Sequence, residues 1–186
     1  MKITITGPPG SGKSSVAKFI AKKLGLKHYS AGDIRREIAA KKGMTLEEFN
    51  RWDEKTHEGD KAADEFLKNI GKKEDNFVVD GRLPAYFIPD SIKIFLYVDP
   101  KVGAKRVMER RKGVEVYKNL KEAMKKLAER EESDNKRYQE LYGINYADKR
   151  NFDLCIDTSK TTVEEVADEI IEFVKTKQKT NPNLFK

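Results

Sequence analysis

The run Gly7-Pro8-Pro9-Gly10-Ser11-Gly12-Lys13-Ser14 decides how the rest of this chain is read. It fits GxxxxGK[ST] without a gap, and its surroundings are those the motif needs. Before it stands the alternating Lys2-Ile3-Thr4-Ile5-Thr6, a strand pattern; after it, Ser14 to Leu24 places Val16, Ile20 and Leu24 on one helical stripe. A strand, a glycine-rich turn and a helix in that order make a phosphate cradle. Consecutive backbone N–H groups and the positive end of the helix point at anionic oxygens. Lys13 adds a cation for the β and γ phosphates of a nucleotide, and the Ser14 hydroxyl suits Mg²⁺. Gly7, Pro8, Pro9, Gly10, Ser11, Gly12, Lys13, Ser14 and Ser15 are therefore read together as the ATP-binding segment, with Lys13 also catalytic. A turn without a ligand would need neither the Lys-Ser pair nor so many glycines.

Further strand-like runs lie at residues 76–80, 92–98 and 153–156, with a short one at Lys27-His28-Tyr29-Ser30. Helical periodicity fills 33–40, 46–70 in pieces, 100–111, 120–141 and 163–175. Thr45-Leu46-Glu47-Glu48 and Thr162-Val163-Glu164-Glu165 both match the capping box. Alternating strands and helices predict an α/β protein: a five-stranded parallel sheet with helices on both faces, three layers in all. Asp80 closes its strand beside the cradle, so it joins Ser14 as a candidate Mg²⁺ residue, directly or through water. A strand-end Asp capping the Gly81 turn is the alternative.

Composition narrows the context. The chain has 186 residues and a net charge of +7, with a single cysteine, Cys155, inside the apolar Leu154-Cys155-Ile156. One domain is expected, with Cys155 buried on a strand in a reducing compartment. No apolar stretch approaches the roughly 20 residues of a membrane helix, so a cytoplasmic protein without a membrane partner is expected. The positive charge suits either nucleic acid or small polyanions, and alone does not choose between them.

A phosphate cradle also serves GTPases and motors. A guanine reader Asn-Lys-x-Asp is missing: Asn135-Lys136-Arg137-Tyr138 has Tyr where Asp belongs. No added nucleic-acid surface is obvious either, so no nucleic-acid partner is expected. Ser30-Ala31-Gly32-Asp33-Ile34-Arg35-Arg36 resembles the Ser/Thr-x-Gly-Asp-x-x-Arg stretch of nucleoside monophosphate kinases. The resemblance implies that Ser30, Asp33 and Arg36 frame the acceptor, with Asp33 near Mg²⁺ and its waters; Arg35 reads as a surface charge. Asp80-Gly81-Arg82 resembles the cytidylate kinase branch, whose short archaeal form also shows Gly-Arg-Leu as at Gly81-Arg82-Leu83. Arg82 is then implied at the acceptor phosphate. Bacterial relatives have Asp after this Arg, used in recognition, where this chain has Leu83; the base reader is left unassigned.

Farther on, Arg106 and Arg110 share one helical face, and Arg130, Asp134 and Arg137 lie at i, i+4, i+7 on another. The segment 128–137 resembles the Glu-Arg-Asp-Asp-Arg-Asp-x-x-Arg segment of cytidylate kinases, which implies arginines toward phosphates and Asp134 toward the acceptor sugar. Residue types alone also allow an exposed helix in which Asp134 pairs with Arg130. The resemblance further implies catalytic roles for Lys13, Arg106 and Arg110, an acceptor-binding insertion at 41–71, and a lid at about 104–119. The core would be 1–40, 72–103 and 120–175, with the region 156–161 against adenine. A frayed tail is expected at 176–186. Phe49 and Trp52 read as core packing, and His57 as solvated. The implied reaction moves phosphate from ATP to CMP or dCMP, in a monomer; AMP or UMP as acceptor, or a nucleic-acid-associated ATPase, are the rivals.

Overall fold

The computed structural model describes residues 1–110 and 117–180. Five strands form one parallel sheet in the order β2-β3-β1-β4-β5: β1 Lys2–Thr6, β2 Lys27–Ser30, β3 Phe77–Gly81, β4 Ile92–Tyr97 and β5 Leu154–Asp157. The central position of β1 follows from its sequence. Ile3 and Ile5 are fully buried on one face, and Thr4 and Thr6 on the other. The Thr4 hydroxyl pairs with Ser91 Oγ at 2.9 Å, whereas the Thr6 hydroxyl has no partner among the described residues.

On the Ile3/Ile5 face, α1 (Lys13–Leu24) and α8 (Val163–Thr180) pack through Val16, Ile20, Val166 and Ile170. On the other face α4 (Glu58–Lys73) and the short α5 (Pro84–Phe87) cover Phe77 and Val79 with Leu67, Ile70 and Ile88. Between β2 and β3 the chain runs through α2 (Ala31–Lys41), α3 (Leu46–Thr56) and α4; α6 (Pro100–Arg110) and α7 (Leu120–Tyr142) lie between β4 and β5. Thr45 and Glu48 form the expected capping box, each side chain bonding the other's backbone N–H, an arrangement worth about 1 kcal/mol.

Several expectations change. The chain past Thr176 is not frayed at its start: α8 reaches Thr180, with Lys177 Nζ held 3.1 Å from Asp153 Oδ1. Residues 181–186 of the expected tail lie outside the described residues, as do 111–116 of the expected lid. Cys155 is half-buried rather than buried, because β5 is an edge strand with one flank open. His57 is not simply solvated. It sits at φ 56°, in the left-handed region, as the link between α3 and α4, with Nδ1 buried and lacking a partner among the described residues. Phe49 and Trp52 do pack as core: their ring centroids lie 5.5 Å apart, and Phe49 is fully buried.

Candidate active site

The Gly7–Ser14 turn leaves the C-terminal end of β1 and enters α1. Gly12 is the N-cap residue of α1 at φ 82°, and Gly10 has φ 80°, a region that side chains strain to reach. A Cβ on Gly10 would also collide with the backbone of Gly103 at the start of α6. The glycines are thus demanded twice, by the turn and by the helix pressed against it.

Lys13 Nζ donates to the Pro8 carbonyl at 3.2 Å. Burial and the positive charge of Arg82 drive its ammonium well below the ordinary lysine pKa, against the pull of Asp80. Arg130 and Arg110 add to the same positive field. Such a gathering of cations around one turn suits an anion. Ser14 Oγ donates to Asp80 Oδ2 at 2.6 Å, and Ser30 Oγ lies 3.3 Å from the same oxygen. Burial pushes the Asp80 carboxyl up, but His28, Ser14 and Lys13 outweigh it and hold it below its usual value. His28 Nε2 lies 2.8 Å from Asp80 Oδ1, a contact that strand pairing of β2 and β3 creates and no motif signalled. A hydroxyl and one ionised carboxylate beside a phosphate cradle fit Mg²⁺, which takes few protein oxygens and completes its shell with phosphates and water.

Two clefts open from this turn. One, about 320 Å³, is lined by Gly10, Gly12, Ser15, Arg106, Thr158 and Val163 among others. Arg106 is fixed there: it donates to the Thr158 carbonyl at 2.6 Å and to Thr158 Oγ1 at 3.2 Å. The other cleft lies between α2, α4 and α7 and includes Lys13, Ser14, Ser30, Asp80, Arg82, Arg130 and Asp134. Gly10, Val107 and Arg110 line both.

Of the α7 stripe, Arg130 and Asp134 line the second cleft while Arg137 is buried outside its lining, and the pairing differs from either simple expectation. Asp134 is buried and takes Arg82 Nε at 3.0 Å and Arg137 Nη2 at 2.7 Å. No ion pair joins it to Arg130 among the described residues, and Arg130 Nε is buried without a partner among them. Arg82 also donates to the Gly7 carbonyl, and Arg137 Nε donates to Asp60 Oδ2 at 2.9 Å. A chain of ionic contacts thus runs from the phosphate turn through Arg82, Asp134, Arg137 and Asp60 into α4. Burial pushes the Asp134 carboxyl up, yet Arg82, Arg130 and Arg137 prevail and pull it down to about 2.

The two arginines of α2 exchange their expected surroundings. Arg35, read as a surface charge, is largely buried between Asp53 (2.7 Å) and Asp60. Its helix explains why: Ala31, Arg35 and Ala39 recur every four residues on the inward stripe. Arg36 is half-exposed and pairs with the exposed Asp33 in the first turn; both arginines reach the cleft. Asp33 is not brought to Asp80 by any hydrogen bond among the described residues; Ser30, its neighbour at the N-cap, is. Asp60, Asp64, Tyr138 and Tyr142 carried no motif, although acids within 41–71, in a chain whose arginines gather elsewhere, were a usable signal.

Against known proteins, the model of the Cytidylate kinase-like family matches residues 2–160. The chain belongs to that family. It is 40% identical over 179 residues to the cytidylate kinase of Archaeoglobus fulgidus, covering 96% of this chain and 97% of that one. To the cytidylate kinase of Methanocaldococcus jannaschii it is 41% identical over 172 residues, 89% of this chain and 93% of the relative. Among solved structures, a shikimate kinase from Acinetobacter baumannii in complex with shikimate superimposes with a TM-score of 0.62 at 18% identity, covering 95% of this chain and 94% of that one. That likeness confirms the α/β kinase fold. Among the described residues, no helix is long and apolar enough to cross a membrane.

Proposed function

We propose that this protein is an ATP-dependent cytidylate kinase, which moves the γ-phosphoryl group of ATP to CMP, and to dCMP, giving the diphosphate and ADP. The observation that carries this reading is the convergence of two clefts on one phosphate turn, with Arg110 at their border. ATP occupies the larger cleft, its base near Thr158 and its phosphates in the turn; CMP occupies the cleft between α2, α4 and α7.

The acceptor phosphate is already an anionic nucleophile, so no general base is required; alignment and charge neutralisation carry the reaction. Lys13 supplies positive charge where negative charge builds up on the transferred group, and bound phosphates offset the burial and the Arg82 charge that lower its pKa in the free protein. Arg110 lies at the border from which it can follow the phosphoryl group across. Arg106, bonded to Thr158 and close to the Gly10 carbonyl, steadies the donor side. Arg36, Arg82 and Arg130 hold the acceptor phosphate, with Asp134, bonded through both oxygens to Arg82 and Arg137, setting their geometry. Ser14, and Asp80 directly or through water, would hold Mg²⁺, which would neutralise phosphate charge. Ser30 lines the cleft beside them, and Asp33 acts through its pair with Arg36.

The second cleft holds about 100 Å³, well short of the roughly 300 Å³ of a typical ligand site. The insertion carrying α3 and α4 therefore yields to admit CMP and then closes over it, excluding water. A panel of monophosphates with ATP and Mg²⁺, read as diphosphate product, tests the reading. CMP and dCMP should turn over far faster than AMP or GMP; equal or faster turnover of AMP would refute the acceptor assignment.

A further inference from the structure

The acceptor cleft carries four buried carboxylates, and three of them are committed. Asp80 is bonded to Ser14 and His28, Asp134 to Arg82 and Arg137, and Asp60 to Arg35 and Arg137. Asp64 differs. It is 6% exposed, lines the cleft, and receives the Tyr142 hydroxyl on Oδ2, while Oδ1 has no partner among the described residues. A carboxylate on a cleft wall with one oxygen that no donor among the described residues occupies is open to a donor from a ligand.

Resting on the reading of the cleft as the CMP site, we propose that Asp64 reads the amino edge of the acceptor base, its Oδ1 accepting a hydrogen bond from the exocyclic N4 amine of cytosine. The neighbouring walls suit a flat ring: Ala63 and Leu67 from α4 and Leu83 after β3 are apolar and buried. Leu83 packs with Tyr138 and Tyr146 and offers no polar atom to a base. Uracil presents a carbonyl oxygen where cytosine presents the amine, so the same carboxylate oxygen that receives cytosine meets a lone pair on uracil. A site built around a polar group discriminates strongly for this reason.

Tyr142 is the positioning residue. Its hydroxyl occupies Oδ2 and so aims Oδ1, and its own ring is held edge-on by Phe87 at 5.5 Å between centroids. The groups that face Asp64 are Tyr142 from α7, Asp60 and Lys68 from its own helix, and Arg35 from α2. Burial dominates among them, pushing the carboxyl up to about 6, the mark of an acid short of hydrogen-bond donors in the free protein.

The test is kcat/KM for CMP and for UMP at saturating ATP, in the wild type, Asp64→Asn and Tyr142→Phe, alongside the KM for ATP. Asn keeps the shape and can turn its amide toward either base. The CMP:UMP ratio in Asp64→Asn should fall by about tenfold or more while the KM for ATP stays within about twofold. Tyr142→Phe should lower the same ratio several-fold and serves as the deciding variant if Asp64→Asn does not fold. Equal losses on CMP and UMP, leaving the ratio at its wild-type value, would overturn the assignment of Asp64 alone. Wild-type enzyme that prefers a purine monophosphate would overturn the reading of the acceptor instead, and with it the inference.

Discussion

Asp134→Ala removes the hub of the buried ionic chain, and the structure sets how much that should cost. Asp134 is 6% exposed and bonded to two arginines, Arg82 and Arg137, each with side chains mostly shielded from water. Its loss leaves those guanidinium groups facing one another and Arg130 without the compensating charge. Breaking one partner of a buried pair costs about 3–5 kcal/mol, far above the 0–1 kcal/mol of a surface pair. For a chain of this size each kcal/mol moves Tm by about 2–4 °C, so a fall of about 6–20 °C is expected by calorimetry or circular dichroism. At a temperature where the variant remains folded, kcat/KM for CMP should drop by tenfold or more, since Arg82 and Arg137 lose their aim. Added inorganic phosphate should recover more stability in the variant than in the wild type, because an anion now fills the charge left by the carboxylate. A Tm within about 2 °C of wild type would refute the reasoning, since it would mean that Asp134 is a surface charge and not the hub.

Acid unfolding gives a second check on the same residue: its carboxyl is pulled down to about 2 in the folded state, so its contribution is present above the ordinary aspartate range and lost as pH falls toward 2. Wild type should lose stability more steeply than Asp134→Asn between about pH 4 and 2, measured by urea midpoints across that interval. Lys13→Ala should cut turnover by about 10² or more with little change in Tm, and near-normal turnover would mean that the cradle is not catalytic. Arg35→Ala should destabilise by about 3–5 kcal/mol, because Asp53 and Asp60 lose their partner, whereas Arg36→Ala should raise the KM for CMP and leave Tm within about 2 °C; the reverse pattern would overturn the placement of the two arginines. Amide exchange in residues 41–71 should slow when ATP and CMP analogues are bound together, and identical exchange with and without them would contradict closure of the insertion.

The fold was legible because its signals are local. An alternating strand, a glycine-rich turn and an amphipathic helix occupy consecutive residues, and the backbone demands at Gly10 and Gly12 are met by residue type alone. Strand and helix alternation then leaves a parallel sheet as the natural result. The candidate residues of α7 were legible for the same reason, since a helix converts i, i+4, i+7 into one face whatever surrounds it. Which partner each of them takes was not. Arg130 was the obvious mate for Asp134 by spacing, yet Arg82, 52 residues away in sequence, lies nearer.

Local residue order carries the glycine-rich turn, the strands and helices around it and the helical face that Arg130, Asp134 and Arg137 share. Packing between distant elements set that Arg35 and not Arg36 is largely buried, that His28 reaches Asp80, and that Asp64 lines the cleft between α2, α4 and α7 with Oδ1 unpartnered among the described residues. The physical reason is common to all three. Each depends on contacts between elements far apart in the chain, where the cost of burying a charge is met or left unmet by whatever packing brings alongside.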